Sequence, residues 1–579
     1  MKTLLTAVNA KYIHSNLAVY SLKAYAERFF EDISLAEYTI NQTFDDILMD
    51  IYRQKPDLLC FSCYIWNISF VGQLLEEIPK ILPGTEVWLG GPEVSYDAED
   101  VLTRYPMLRG VMCGEGEETF LELVRFYHGE GDGLGTVKGI VYREETGEIR
   151  RTDAREIMDL SRVPFVYERI EDFKNRIIYY ESSRGCPFSC SYCLSSVDKC
   201  LRFRDLELVK KELQFFIDHE VPQVKFVDRT FNCKHSHAME IWSYIREHDK
   251  GITNFHFEVA ADLLNEEEID LIGRMRPGLI QLEIGIQSAN PDTITEIRRK
   301  MDLDKVREIA EKLRSGKNVH RHLDLIAGLP FEDYESFVHS YNEVYAMRPE
   351  QLQLGFLKVL KGSLMHEKVN EYGLVYQGRP PYEVLSTKWI SYSDIIRLKE
   401  VEEMTEVYYN SAQFRNVMEH LEKATKKNKE RCFESAFAMY ASLAAYYEQN
   451  NLSGISHSRI DRYRILYDFM KAQGLEKEEE YIEWLTLDLY LRDNVKNRPE
   501  FLGESKVSKE EAFAFYRAEA EEHRYLKGYE GYEMRQIRKM THLERIGGKL
   551  FVFDYRSRDP LTGDATVQEV SVDSERIEK

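Results

Sequence analysis

Cysteine is scarce in this chain. Nine Cys in 579 residues are too few for the disulfide framework of a secreted protein. Positive charge is also short: 77 Lys and Arg stand against 99 Asp and Glu, a net charge of −22. A protein whose main task is to grip a phosphate backbone, or an anionic membrane, shows a basic footprint. No nucleic-acid or membrane partner is therefore expected. Long apolar runs are missing too. Residues 58–75 carry no charge, but Ser62, Asn67, Ser69, Gly72 and Gln73 interrupt them. That stretch reads as strand, loop and helix start rather than a membrane span. Residues 1–10 hold one Lys and an apolar run too short for a leader, so a first strand is expected there. The expected compartment is the cytoplasm. No internal repeat and no low-complexity tract is visible.

What is present is ordinary globular material, with 43% hydrophobic and 30% charged residues. The length suits about three or four domains with large cores. Residues 1–150 alternate short apolar runs with helical spacing. Strands are expected at 4–8, 58–62, 87–89 and 110–113, helices at 17–30 and 71–81, and a small hairpin over 137–151. Such alternation predicts a Rossmann-like, doubly wound parallel sheet whose ligands sit at the carboxyl ends of the strands. Residues 151–175 lack a period and read as a linker.

From 176 to 390 the alternation restarts. Six strands are expected, at 177–182, 223–227, 255–260, 279–286, 322–327 and 351–357, with helices such as 206–219 and 333–347 between them. Six such units predict a partial (β/α)6 barrel with its chemistry at the carboxyl ends. Residues 391–579 read as a mainly helical domain. It closes on a hairpin over 552–570, turned at Asp559-Pro560-Leu561-Thr562-Gly563-Asp564. Its many Tyr read as core rather than as a pocket lining.

The sharpest local signal is Arg184-Gly185-Cys186-Pro187-Phe188-Ser189-Cys190-Ser191-Tyr192-Cys193. The cysteine spacing is C-x3-C-x2-C. A closed zinc site wants four ligands, and no fourth Cys or His stands at a usual spacing, Cys200 being seven residues on. Three thiolates can instead hold three irons of a 4Fe–4S cluster and leave the fourth iron open. Cys186, Cys190 and Cys193 are the expected ligands.

This loop, with Tyr192 before the last Cys, resembles the radical SAM superfamily. The resemblance spans residues 177 to about 360. It implies that the open iron chelates S-adenosylmethionine (SAM) and that electron transfer cleaves it to methionine and a 5′-deoxyadenosyl radical. It also implies SAM contacts at the strand ends. Asp228 and Arg229 end the second strand, where the family holds the SAM amino group, although the usual glycine-rich version is absent. Glu258 ends the third strand. Glu283 and Gln287, in Glu283-Ile284-Gly285-Ile286-Gln287-Ser288, resemble ribose and carboxylate contacts. Gly328, in Asp324-Leu325-Ile326-Ala327-Gly328-Leu329-Pro330, resembles the adenine-side turn.

The first domain resembles the cobalamin-binding domain that precedes many radical SAM barrels. The resemblance rests on Gly90-Gly91-Pro92 and on Cys113-Gly114-Glu115-Gly116-Glu117-Glu118-Thr119. Glycines there let backbone N–H groups approach a bulky ligand. It implies cobalamin contacts at Ser62, Gly90, Gly91, Gly114, Glu115, Gly116 and Glu117, with Tyr12 and His14 in the loop after the first strand. Cobalt-ligating domains carry D-x-H-x-x-G in that loop. Here Tyr12-Ile13-His14-Ser15-Asn16-Leu17 keeps the His without the Asp and Gly. A ligating His is normally oriented by a carboxylate, so His14 reads as a loop histidine or a polar wall over the corrin face, with cobalt ligation the alternative.

The resemblance thus implies a cobalamin-dependent radical SAM enzyme, with methyl transfer as the leading reading. A small flavodoxin- or ferredoxin-like electron donor is the implied partner. Rearrangement or cyclisation with the same cofactors is the alternative. Methylthiotransferases, a further rival, hold a second cluster on three N-terminal Cys, here Cys60, Cys63 and Cys113. Residues 60 and 63 of one extended strand point to opposite faces, which disfavours that reading. A cobalamin-binding sensor or carrier is the non-enzymatic alternative.

Overall fold

Seven residues, Thr3–Asn9 (β1), are all buried. A parallel strand covered on both faces needs such a run. In a computed structural model that describes residues 1–426 and 428–572, β1 lies inside a seven-stranded sheet. Its other strands are Ile33–Thr39 (β2), Leu58–Ser62 (β3), Glu86–Gly90 (β4), Gly110–Met112 (β5), Ile140–Arg143 (β6) and Ile149–Arg151 (β7), in the order β2-β1-β3-β4-β5-β6-β7. β1 to β5 are parallel, with Thr3 opposite both Ile33 and Leu58. β6 and β7 add the expected antiparallel hairpin.

Side chains alternate between two cores. Leu4, Val8, Leu59 and Phe61 pack with Val71, Leu74 and Ile78 on one face. Leu5, Ala7, Leu58 and Cys60 pack with Val19, Tyr25, Phe120 and Val124 on the other. The strand order reverses between β1 and β3, which places the ligand crevice of this topology at their carboxyl ends. β2 was not expected. As an edge strand of sequence ISLAEYT it shows neither clean alternation nor an apolar run.

By its contacts the chain divides into two units. The first holds Met1–Gly316, Ile326–Tyr334 and Gly355–Tyr392. The second holds Lys317–Leu325, Glu335–Leu354 and the chain from Ser393 onward. Within the first unit a second group of strands follows: Ile178–Tyr180 (β8), Ser183–Arg184 (β9), Arg202–Phe203 (β10), Gln223–Phe226 (β11), Asn254–Val259 (β12) and Ile280–Gln287 (β13). β8, β11, β12 and β13 are parallel neighbours in chain order. Helices Leu206–Asp218, His235–His248 and Glu266–Gly273 connect them. Asp205 caps the first through the N–H groups of Glu207 and Leu208, and a capping box of Asn265 and Glu268 starts the third. The two remaining expected strands are His320–Ala327 (β14) and Gln351–Phe356 (β15).

The second unit is largely helical after residue 393. Many of its tyrosines are core: Tyr408, Tyr440, Tyr463 and Tyr490 are fully buried. The Tyr408 hydroxyl meets that of Tyr447 at 2.7 Å, and Tyr463 donates to the Gln413 carbonyl at 2.8 Å. The expected terminal hairpin is present as Lys549–Arg558 and Ala565–Val570. A third antiparallel strand, Thr541–Ile546, joins it and was not expected. Its two-residue turn is Gly547-Gly548, both at positive φ, a hairpin signal that the sequence carried.

Asp488 anchors one helix of this unit. Its buried carboxylate accepts the N–H groups of Asn416 at 3.1 Å and Val417 at 2.9 Å, and the Asn416 amide at 2.6 Å. It thereby supplies the cap that helix Arg415–Glu422 lacks locally. Burial pushes this carboxyl up to about 7 against the pull of those donors. Its folded pKa lies above the unfolded value of about 4. Its contribution is therefore fully present below about pH 4 and is lost as pH rises towards 7. In thermal unfolding, Asp488→Asn should flatten that decline between pH 4 and pH 7. Asp488→Ala should cost about 1–3 kcal/mol for each N–H left buried and unsatisfied.

Candidate functional site

The thiol loop begins directly after β9 and contains almost no regular structure, so its hydrogen bonds decide its shape. The Cys186 N–H donates to the Asp198 carbonyl at 3.2 Å, and that of Ser191 to the Ile297 carbonyl at 2.9 Å. Asp228, fully buried just past β11, accepts from the Ser182 N–H at 2.9 Å and from the Ser182 and Ser183 hydroxyls at 2.6 Å each. Burial pushes the Asp228 carboxyl up to about 6, and these donors pull it back. The resemblance marked Asp228 as a SAM contact. The geometry directs its bonds to Ser182 and Ser183, in the chain that enters the thiol loop.

Cys186 and Cys190 are buried and Cys193 is half-buried. The Cys186 sulfur lies 3.7 Å from the Thr230 hydroxyl. Arg299, which sequence reasoning missed, reaches the loop from beyond β13. Its Nη1 donates to the Tyr192 hydroxyl at 3.2 Å and points at the Cys190 sulfur at 3.9 Å, and its Nη2 donates to the Gly285 carbonyl. Burial raises the Cys190 thiol, and the guanidinium opposes that rise. Three thiols with a cation beside them, and Cys200 exposed, suit a cluster held by three ligands better than a closed zinc site.

The strand ends carry one further mark of a ligand site. Gln287 closes β13 at φ +75, a conformation that non-glycine residues adopt where surrounding structure enforces it. Its side chain folds over Gly285, and its buried Oε1 has no hydrogen-bond partner among the described residues. An orphaned acceptor of this kind fits a ligand that donates to it. Glu283 is paired internally, with Lys225 at 3.1 Å and His256 at 2.9 Å, and Glu258 stands opposite it in register. Gly328 sits at φ +87, against Val384.

A cavity of about 1050 Å³ opens at the carboxyl ends of the first sheet, at the upper end of the size range of small-molecule sites. His14, Ser62, Gly90, Gly91, Gly114, Glu115, Gly116 and Glu117 all line it. So do Tyr179, Glu181, Arg184, Val227 and Arg229, from the ends of the second group of strands. Glu258, Glu283, Gln287 and Gly328 are not among its lining residues, and neither is Tyr12, which is exposed beside Arg176. Gly91 sits at φ +109, and a Cβ there would fall 2.5 Å from the Cys63 carbonyl oxygen. Gly114, at φ +79, faces open space. Together they leave bare backbone along the cavity wall, a cradle that fits a bulky corrin-type ligand. His14 Nδ1 lies 2.7 Å from the Tyr179 hydroxyl. Burial, Lys11 and Lys225 hold its pKa below the usual value, so the ring is neutral at pH 7. Among the described residues, no carboxylate is hydrogen-bonded to the ring.

Glu115 and Glu117 line the cavity, yet their carboxylates are engaged by Arg184 and Arg202. The methylthiotransferase reading fails on geometry. Cys60 lies in one core of the sheet and Cys63 in the other, and burial raises both thiols.

Fold and site together define a protein in which a Rossmann-like ligand edge shares a cavity with the strand ends beside a three-thiol loop. Family models agree. One described as a B12 binding domain matches residues 3–124, and one described as the Radical SAM superfamily matches 180–344. A third, described as a protein of unknown function (DUF4080), matches 370–559. The cobalamin-dependent radical SAM methyltransferase TokK of Streptomyces tokunonensis is 25% identical over 342 residues, 55% of this chain and 50% of that protein. An anaerobic magnesium-protoporphyrin IX monomethyl ester cyclase of Rubrivivax gelatinosus is 22% identical over 335 residues, 55% of this chain and 60% of that protein. The structure of the cobalamin-dependent S-adenosylmethionine radical enzyme OxsB, with aqua-cobalamin and S-adenosylmethionine bound, aligns at a TM-score of 0.57 and 16% identity. That alignment covers 84% of this chain and 78% of that one, and at such identity it is a likeness of fold. Residues 3–124 thus match a B12-binding domain and residues 180–344, after it, a radical SAM domain. The chain spans about half the length of the curated relatives it matches.

Arg299 puts a positive charge beside Cys190, and hydrogen bonds and net charge at the sulfurs set cluster potentials. Arg299→Gln should therefore lower the midpoint potential of a cluster held by this loop while leaving its iron content unchanged. Potentiometric titration and iron analysis of the reconstituted protein would read both.

Proposed function

We propose that this chain is a cobalamin-dependent radical SAM enzyme, a methyltransferase, with Cys186, Cys190 and Cys193 as the cluster ligands. The observation that carries the reading is the single cavity whose walls come from both the Gly-rich edge of the first sheet and the strand ends around Arg229. A substrate held there would lie between the corrin edge and residues that flank the thiol loop, Arg184 and Leu194 among them. When bound, the cluster supplies the electron that cleaves SAM to methionine and a 5′-deoxyadenosyl radical, and the corrinoid supplies a methyl carrier.

The chain's own share is holding, orientation and exclusion of water. Asp228 fixes the entry to the thiol loop through Ser182 and Ser183. Arg299 ties that loop to β13. Gln287 offers its unpaired carbonyl oxygen to a donor on SAM. Gly91 and Gly114 let backbone approach the corrin. His14, neutral and bonded to Tyr179, forms a polar wall. Tyr64 and Trp66, stacked with centroids 4.3 Å apart, supply an apolar wall of the same cavity.

A second reading, radical rearrangement or cyclisation without methyl transfer, is favoured by the match to the magnesium-protoporphyrin cyclase. The fate of the SAM methyl group separates the two. A small flavodoxin- or ferredoxin-like protein is the proposed electron donor, and the cytoplasm the proposed compartment. Among the described residues, no helix is long and apolar enough to cross a membrane.

The first test is corrinoid content after anaerobic expression with cobalamin and cluster reconstitution. About one corrinoid per chain is expected. An intact cluster without corrinoid would sink the proposal. Cys190→Ala should abolish 5′-deoxyadenosine formation and leave the corrinoid bound. With methyl-labelled SAM, label in the product supports the methyltransferase, and its absence supports the second reading.

A further inference from the structure

Charged side chains meet between the cavity loop 114–117 and the residue that opens the thiol motif. Arg184 stands at the centre. Its Nη2 donates to Glu117 Oε1 at 2.8 Å and to Glu181 Oε2 at 2.7 Å, its Nη1 to Glu115 Oε1 at 3.1 Å, and its Nε to Glu181 Oε1 at 2.9 Å. Arg202 pairs with Glu115 and, at 3.2 Å, with Asp198. The site is sheltered, with the Glu117 side chain 6% exposed and that of Arg184 19% exposed. A guanidinium is a rigid planar fork, so it serves three carboxylates in one pose only.

That pose is tied to the thiols through the backbone. Arg184 pairs with Arg202 across the short β9–β10 ladder. The next residue, Gly185, sits at φ +91, where a Cβ would fall 2.6 Å from the Cys200 carbonyl oxygen. Cys186 follows, with its N–H on Asp198, the residue that also pairs with Arg202. On the other side, Gly114, Glu115, Gly116 and Glu117 form the cavity wall, and Glu115 also accepts the Met158 N–H at 3.2 Å. A shift of the Arg184 guanidinium therefore cannot be confined to either loop.

We propose that Arg184 is a positioning residue that couples a ligand on loop 114–117 to the cluster held through Cys186. The proposal rests on the two-cofactor reading above. A ligand that settles loop 114–117 fixes Glu115 and Glu117, these fix Arg184, and Arg184 fixes the chain entering Cys186. Loss of one partner would leave charge sheltered and uncompensated, so the pairs move together.

The test uses the cluster-loaded chain and follows iron release to a chelator, with and without saturating hydroxocobalamin. Hydroxocobalamin should slow release in the unaltered chain by at least about fivefold, the lower end of ordinary coupling between sites. In Arg184→Lys, which keeps the charge and loses the fork, that ratio should fall to about one, with both cofactors still bound in full. Should Arg184→Lys fail to fold, Glu117→Gln serves instead, and its ratio should also move towards one. A merely structural role would speed release equally in both conditions and leave the ratio intact. An unchanged ratio in the folded variant, or a ratio of one in the unaltered chain, overturns the coupling alone. Failure of the unaltered chain to bind hydroxocobalamin overturns the functional reading together with it.

Discussion

A buried carboxylate holds the entry to the three-thiol loop. The thiol loop has almost no helix or strand of its own, so nothing periodic fixes it. Asp228 fixes its entry by accepting three hydrogen bonds from Ser182 and Ser183. The position of Asp228 follows in turn from β11 and its parallel neighbours β8 and β12. Burial alone would drive this carboxyl towards the neutral form, and the three donors offset part of that cost. The same sheet sends Arg229 into the cavity one residue later. One strand end thus serves both the thiol loop and the ligand space.

Much of the fold was legible because buried parallel strands and amphipathic helices repeat with different periods. β1 and β3 read as apolar runs since both faces are covered. The six strands expected from 177 to 357 all occur, within a few residues. β2 and Thr541–Ile546 escaped for different reasons. β2 lies at a sheet edge, and its burial follows no strict alternation. Thr541–Ile546 directly follows helix Met534–Met540, so a period change without a loop hid its start. Its Gly547-Gly548 turn was the available signal.

The site was legible where chemistry depends on spacing and illegible where it depends on pairing. Three Cys within eight residues, and glycines after β4 and β5, can be read along the chain. Arg184 and Arg299 cannot. Arg184 meets Glu115 and Glu117 across 69 and 67 residues, and Arg299 meets Cys190 across 109. No local pattern announces such partners. For the same reason the arginine partners of Glu115 and Glu117 could not be read along the chain, although both residues line the cavity. The glycines of that motif leave room at the cavity, while its acids anchor the neighbouring loop. One short motif divides into two functions, and only the three-dimensional pairing separates them.

The charge balance acquires a different meaning once the site is in view. A net charge of −22 counts against phosphate-backbone binding, yet the proposed cluster thiolates and a SAM carboxylate would also need positive charge near them. The chain supplies it locally. Arg184 opens the thiol motif, Arg202 stands on the paired strand β10, Arg229 reaches the cavity and Arg299 points at Cys190. Guanidinium groups suit this work because they stay charged when buried, whereas a sheltered lysine can shed its proton. Two of the four are committed to carboxylates, which fix their direction; Arg299 is fixed instead by a tyrosine hydroxyl and a backbone carbonyl. An acidic chain can therefore assemble an anion-tolerant centre without a basic surface, by placing a few arginines where buried partners hold them in one orientation.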